Sequence, residues 1–366
     1  MIPVIEFVLG VAVLVYSAEK LIGYLVGVAS RWAISLFLIA VVFTGIEFDD
    51  LAFGVVLNVE DLSDVALGTV IGTTIALTGI VLALAAIIAP TRVEVPRDYL
   101  ALYVAAPVVM FLLALGGLLT AGTGVVLILL FVAFVGWIAY REYSARRPVW
   151  RNAEVYEQLE RAGVGAGGST TATVATSGPL RTGTADGSSP GFRLPEDLRV
   201  DDGFLKARSQ PPGRTVLFAV IALIGLVVGA LVAGQGTEGI LETWAISGTV
   251  FGVTIATLAL SLEDILITVE PARRGAPEIA VANVLGSVVF SVTGKLGVIL
   301  LVGGSIVVDP TALVWHLPVL LGLTVLSAVF LGTGRIRRWH GVVLLVLYAA
   351  YFVVSLTVFG GVPVDD

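Results

Sequence analysis

The sequence predicts an all-α polytopic membrane protein whose ten transmembrane helices form two inverted five-helix repeats. Three observations carry that prediction: a composition suited to a bilayer, ten apolar stretches long enough to cross one, and a repeat of the chain on itself at an offset of 214 residues. Hydrophobic residues are 57% of the 366 and charged residues only 13%, against roughly 25% charged in a soluble domain. With no Cys there is neither a disulfide framework nor a thiolate metal site, and His316 and His340 are too few for an imidazole zinc centre. No redox chemistry, no cofactor and no nucleic-acid partner is expected, and the net charge of −7 identifies no partner. The expected partners are the lipid bilayer and small inorganic cations.

The chain begins Met1-Ile2-Pro3-Val4, without a basic n-region or a small-residue cleavage site, so a retained first span is expected. Stretches of about 20 apolar residues, enough to cross the hydrocarbon core, fall near 2–25, 33–57, 65–88, 99–119 and 122–140. Five more fall near 215–233, 243–268, 278–303, 311–331 and 341–359. The first five define a repeat over 1–140 and the second five a repeat over 215–366. Between them, 141–214 is the one long polar stretch. Gly165–Thr171 and Gly187–Gly191 make its middle a flexible linker, and Glu157 with Arg161 at i,i+4 suits a short surface helix before it.

Basic residues set the expected orientation, because cytoplasmic loops carry the excess of Lys and Arg. The odd-numbered loops hold Arg31; Arg92 and Arg97; eleven residues from Arg141 to Arg214; Arg273 and Arg274; and Arg335, Arg337 and Arg338. The even-numbered loops hold none. Both termini are therefore expected outside and the long loop in the cytoplasm, with the plasma membrane as the location.

At the offset of 214, Phe48-Asp49-Asp50-Leu51 falls on Leu262-Glu263-Asp264-Ile265. Without a gap the same shift puts Asp64 on Glu278, Val70 on Val284, Gly72 on Gly286 and Thr73 on Ser287. Five spans are an odd number, so the second copy enters the membrane from the opposite side, as in many secondary transporters.

The acids in these runs point to function. A carboxylate at the bilayer centre costs roughly 2.5–3.5 kcal/mol even on the lenient insertion scale, and this chain places Glu47, Asp49, Asp50, Glu263 and Asp264 inside apolar stretches. Hard cations take oxygen ligands. Read as helix, Glu47 and Asp50 share a face at i,i+3, as do Ser261 and Asp264, while Ser287 and Ser291 pair at i,i+4. If the repeats cross at mid-membrane, Asp50, Asp264, Glu47, Ser261, Thr73 and Ser287 converge on a cation. Thr73, Ser287 and Ser291 have the alternative of bonding back to their own helices. Asp49 and Glu263 lie about 100° round the helix. They face a second vestibule, pair elsewhere, or stay protonated beside a water-filled break. Lys295 either pairs with a site carboxylate, replacing a bound cation by a fixed charge, or snorkels into a cavity; pairing is preferred. Gly116-Gly117, Gly303-Gly304 and Gly72 belong to no phosphate loop, so no ATP motor is expected.

These residues resemble the cation/calcium exchanger superfamily, which includes the sodium/calcium exchangers. Ser247, Gly252, Thr254, Ser261 and Asp264 keep the family spacing S-x4-G-x-T-x6-S-x2-E, and Gly286-Ser287 follows at the family distance. In the first half Asp50 and Gly72-Thr73 keep it too. The resemblance implies that Asp50 and Asp264 are the principal calcium-binding acids. Departures fall on the ligands: Asp49 and Glu263 replace Pro, Glu47 replaces the motif Ser, and Leu77 and Ser291 replace a polar Asn or Asp. The implied activity is secondary antiport, with calcium exported against sodium or protons, and not enzymatic. Proton coupling draws on the extra carboxylates and Lys295 as candidate proton carriers, and sodium coupling on the resemblance alone. Two other classes compete: a transport-inactive sensor or scaffold descended from an exchanger, and an intramembrane aspartyl protease, whose G-x-G-D type of signature is absent around Asp50 and Asp264.

Overall fold

The structure, a computed structural model, describes residues 2–29, 46–90, 92–145, 212–273 and 277–359. A backbone in hydrocarbon must satisfy its own hydrogen bonds, which favours helices, and the described chain is helical almost throughout. In order come α1 (Ile2–Ala29), α2 (Phe48–Val59), α3 (Ser63–Ile88), α4 (Arg97–Ala114) and α5 (Ala121–Ala145). The second half gives α6 (Pro212–Trp244), α7 (248–273), α8 (277–303), α9 (Ala312–Gly332) and α10 (Arg338–Val358). Nine helices of the described residues are long and apolar enough to cross a membrane. The remaining predicted span, near 33–57, is described only from residue 46 onward.

Duplication is visible in the element boundaries. Shifting by 214 carries Ser63–Ile88 onto 277–302 of α8 and Ala121–Ala145 onto a range enclosing Arg338–Val358. It also carries a π-helical turn at Leu77–Val81 in α3 onto the π-helical turn at Ser291–Lys295 in α8. Such turns are rare and concentrate at functional sites. A third, Gly252–Ala256 in α7, corresponds to residues outside the described set, and a fourth, Ala312–His316, has no counterpart in α4.

Three details refine those expectations. The span placed near 215–233 runs from Pro212 to Trp244, because α6 stays packed on α1 past the apolar run, with Gly236 against the backbone of Phe7. The stretch 141–214 yields both its ends to helices, α5 reaching Ala145 and α6 starting at Pro212; the linker expected between them, with its surface helix, lies outside the described residues. The fold also holds a two-residue antiparallel strand pair, β1 (Leu118–Leu119) with β2 (Ile306–Val307), pairing Leu118 with Val307 and Leu119 with Ile306.

Exposed Leu, Ile and Val side chains such as Leu9, Ile221, Ile224, Val227 and Val346 cover the outer faces, as a lipid-facing surface requires. α3 and α8 are the most enclosed helices. α3 crosses α7 backbone to backbone: a methyl at Gly68 would lie 2.6 Å from the Thr249 carbonyl oxygen, and one at Gly252 2.6 Å from that of Val65. Small residues let membrane helices approach this closely.

Contacts also sort the loops by side. β1 follows span four and β2 follows span eight, while Asn58, at the end of span two, donates to the carbonyls of Ile299 and Gly304 at 3.2 and 3.4 Å. These three even-numbered connections therefore share a side. On the other side Ala85, Val269, Ala272 and Ala280 form a small apolar cluster around odd-numbered connections.

Candidate functional site

The site forms where the start of α2 meets the middle of α3 and α8, with α7 alongside. Glu47 is not inside a helix. It is the N-cap of α2, with φ −76° and ψ 85°, so it meets Asp50 from the position just before the helix and not from within it. The helix begins at Phe48, and its first turn carries Asp49 and Asp50, where the positive end of the helix dipole favours negative charge. The corresponding acids of the second repeat lie within α7, which is helical through Thr257–Arg273. Glu47, Asp49, Asp50 and Asp264 are all buried, and Glu263 is half-buried.

Lys295 organises the first-repeat side. Its ammonium donates to Asp50 Oδ2 at 2.6 Å, to Glu47 Oε2 at 2.8 Å and to Thr73 Oγ1 at 3.0 Å. Those three bonds use all the donors an ammonium has. The side chain is 1% exposed, so it pairs and does not snorkel. Ser291, one turn earlier, donates to the same Glu47 oxygen at 2.9 Å. The π turn makes this alignment. One α turn of 3.6 residues plus one π turn of about 4.4 returns Lys295 to the face of Ser287 after eight residues, where an unbroken α-helix would leave it about 80° away.

Asp264 lies within electrostatic reach of Glu47, Asp50, Asp49 and Glu263, and Asp49 within reach of Glu263, Asp50 and Glu47. Glu263 in turn has Glu19 of α1, Asp50 and Glu47 within that reach. Ser261, on the Asp264 face of α7, and Ser287, on the Ser291 face of α8, are buried at 1% and 0% exposure. Neither hydroxyl has a hydrogen-bond partner, and neither do Glu47 Oε1 and Glu263 Oε2. Back-bonding therefore does not occupy Ser287 or Ser291. Thr73 does reach the Val70 carbonyl, but at a long 3.5 Å. Among the described residues no three His, Asp or Glu side chains stand as a ready metal cage; Glu47 and Asp50 have closed on an ammonium instead.

The sequence reading missed Thr257, Thr268 and Asn283. Thr257 sits one turn before Ser261, its hydroxyl on the Gly252 carbonyl at 2.7 Å in the π turn of α7. Thr268, one turn after Asp264, accepts from the Asn283 amide at 3.1 Å, and Asn283 lies one turn before Ser287. The spacing of 257, 261, 264 and 268, alternately four and three residues apart, was the available signal, a polar stripe on one face of an otherwise apolar helix.

The family described as sodium/calcium exchanger protein matches residues 2–140 and 214–357 of this chain. The sodium/calcium exchanger MaX1 of Methanosarcina acetivorans is 30% identical over 160 residues, covering 43% of this chain and 42% of its own. The alignment thus spans less than half of that relative's length. The inner membrane protein YrbG of Escherichia coli is 25% identical over 326 residues, covering 88% and 86% of the two chains. Among solved structures, the sodium-calcium exchanger NCX_Mj superposes with a TM-score of 0.56 over 97% of this chain and 98% of its own, at 20% identity. At that identity the likeness is one of fold, and it supports the two-repeat architecture.

Proposed function

The chain belongs to the sodium/calcium exchanger protein family, and from that premise we propose that it is a secondary active cation antiporter. It is a transporter and not an enzyme. In this reading it exports calcium in exchange for sodium or protons, by alternating access to one site between the repeats. The observation that carries the reading is the group of buried Glu47, Asp49, Asp50 and Asp264 with half-buried Glu263, contributed by both repeats, together with buried Thr73, Ser261, Ser287 and Ser291. Burying that much negative charge in a membrane is costly unless cations compensate it, and oxygens are the ligands a hard cation takes. Rocking of one repeat against the other would expose such a midpoint site to each side in turn. The distribution of Arg supports both termini outside and 141–214 in the cytoplasm; in this reading the membrane is the plasma membrane.

A second reading has its own observation. Lys295 already holds Asp50 and Glu47, so the fold could have lost turnover and kept only a sensing or scaffolding role. Labelled calcium uptake into proteoliposomes under imposed sodium, potassium or pH gradients separates the two. Uptake driven by one of the gradients supports antiport and names the coupling ion. Well-folded protein that moves calcium under none of them overturns antiport in favour of the inactive reading.

A further inference from the structure

The offset of 214 pairs Glu47 with Ser261, Asp50 with Asp264 and Thr73 with Ser287. Duplication has therefore produced two half-sites built from the same three positions, one per repeat. Their surroundings differ. On the first-repeat side all three oxygens are bonded by one ammonium, at 2.6, 2.8 and 3.0 Å. On the second-repeat side the hydroxyls of Ser261, one turn before Asp264 on α7, and of Ser287 on α8 are both buried and unpartnered. The position that would supply a matching ammonium there is Val81, the counterpart of Lys295 at the end of the other π turn. A unit positive charge gripped by two carboxylates and a hydroxyl is what a bound monovalent cation would look like at that place, except that this one is covalently attached.

We propose that Lys295 is a tethered cation that permanently fills the first-repeat half-site, leaving mobile cations only the second-repeat half-site around Asp264, Ser261 and Ser287. The inference rests on the antiport reading and adds a charge count to it. One positive charge stays in the protein throughout the cycle, so each turnover carries one cation fewer than two open half-sites would. The fixed charge also explains how Glu47, a carboxylate where the second repeat has a hydroxyl, is tolerated at 8% exposure. Its extra negative charge is matched by a charge that cannot diffuse away.

The test counts bound cations. Calorimetric titration with sodium chloride, at ionic strength held constant with choline, is carried out on the purified full chain and on Lys295→Met, Lys295→Arg, Glu47→Gln and the double variant Lys295→Met/Glu47→Gln. The expected result is one more sodium bound per chain in Lys295→Met than in the wild type, and the wild-type count in Lys295→Arg. The double variant lacks the uncompensated carboxylate that could unfold Lys295→Met, and it is expected to bind one more sodium than Glu47→Gln alone. Equal, non-zero counts with and without Lys295 overturn the tethered cation and leave the antiport reading standing. Binding by neither protein overturns the tethered cation and sodium-coupled antiport while leaving proton-coupled antiport standing, and binding by Lys295→Met alone overturns the open second-repeat half-site.

Discussion

Gly72→Ala should disable the protein by pushing the two repeats apart at the level of the site. A methyl on Gly72 would stand 2.6 Å from the Cα of Val253 and 3.0 Å from its carbonyl oxygen, and would also meet the Thr257 hydroxyl. Thr257 can rotate, but the Val253 backbone cannot. With ordinary contact beginning near 3.4 Å, α3 and α7 must separate by about 0.8 Å, and overpacking of this kind typically costs ~1–3 kcal/mol. The next residue, Thr73, holds the Lys295 ammonium. Binding constellations tolerate about 0.5 Å before they fail, so transport should fall on the order of 10- to 100-fold and the melting temperature in detergent should drop. Gly286→Ala is the internal control, because Gly286 is the repeat counterpart of Gly72 and nothing lies within 4 Å of where its methyl would point. That variant should fold and transport like the wild type. Wild-type melting and flux in Gly72→Ala, or equal damage from Gly286→Ala, would refute the argument.

Asp50→Asn and Asp264→Asn should each abolish exchange in proteoliposomes while still inserting. Asp50→Asn should also lower the melting temperature more, because it strips one partner from a buried ammonium and uncompensated buried charge is strongly destabilising; near-normal flux in either variant removes that acid from the site. At the end of α2, Glu60 has its carboxyl pushed above the ordinary value of 4.5 by partial burial and by the nearby Glu238. A carboxyl raised on folding destabilises the fold once ionised and not when protonated, so wild-type stability should rise as pH falls through the range just above 4.5. Glu60→Gln should melt higher than wild type at neutral pH and lose that advantage in acid; a constant difference across the window excludes the titration. Because the chain has no Cys, Ser188→Cys is a clean reporter of topology. An impermeant maleimide should label it in inverted but not in right-side-out vesicles, and the opposite pattern reverses the orientation.

The fold was legible in the sequence for a physical reason: in a bilayer, apolar length and charge position are themselves the structural constraints. The offset of 214 found in the residues reappears in helix ends and in the π turns at Leu77–Val81 and Ser291–Lys295. The acids stood out because apolar surroundings make every charge conspicuous. What stayed hidden depends on tertiary contact or on a change of helical pitch. A π turn has no composition signature, so the sequence does not show that Lys295 returns to the face of Ser287, and the start of α2 at Phe48, with Glu47 as its N-cap, cannot be seen in an apolar run that reads as one helix. Asn283 with Thr268 was invisible because the two meet across helices. The same distinction explains how a symmetric fold can hold an asymmetric site. Duplication copies backbone positions, and packing at those positions preserves the helices in both halves. Side chains that do not carry the packing are free to diverge, and here the divergence is paired: Ser261 against Glu47 and Val81 against Lys295 differ by one negative and one positive charge. Each change alone would leave a buried charge unmatched, whereas together, at 2.8 Å, they cancel.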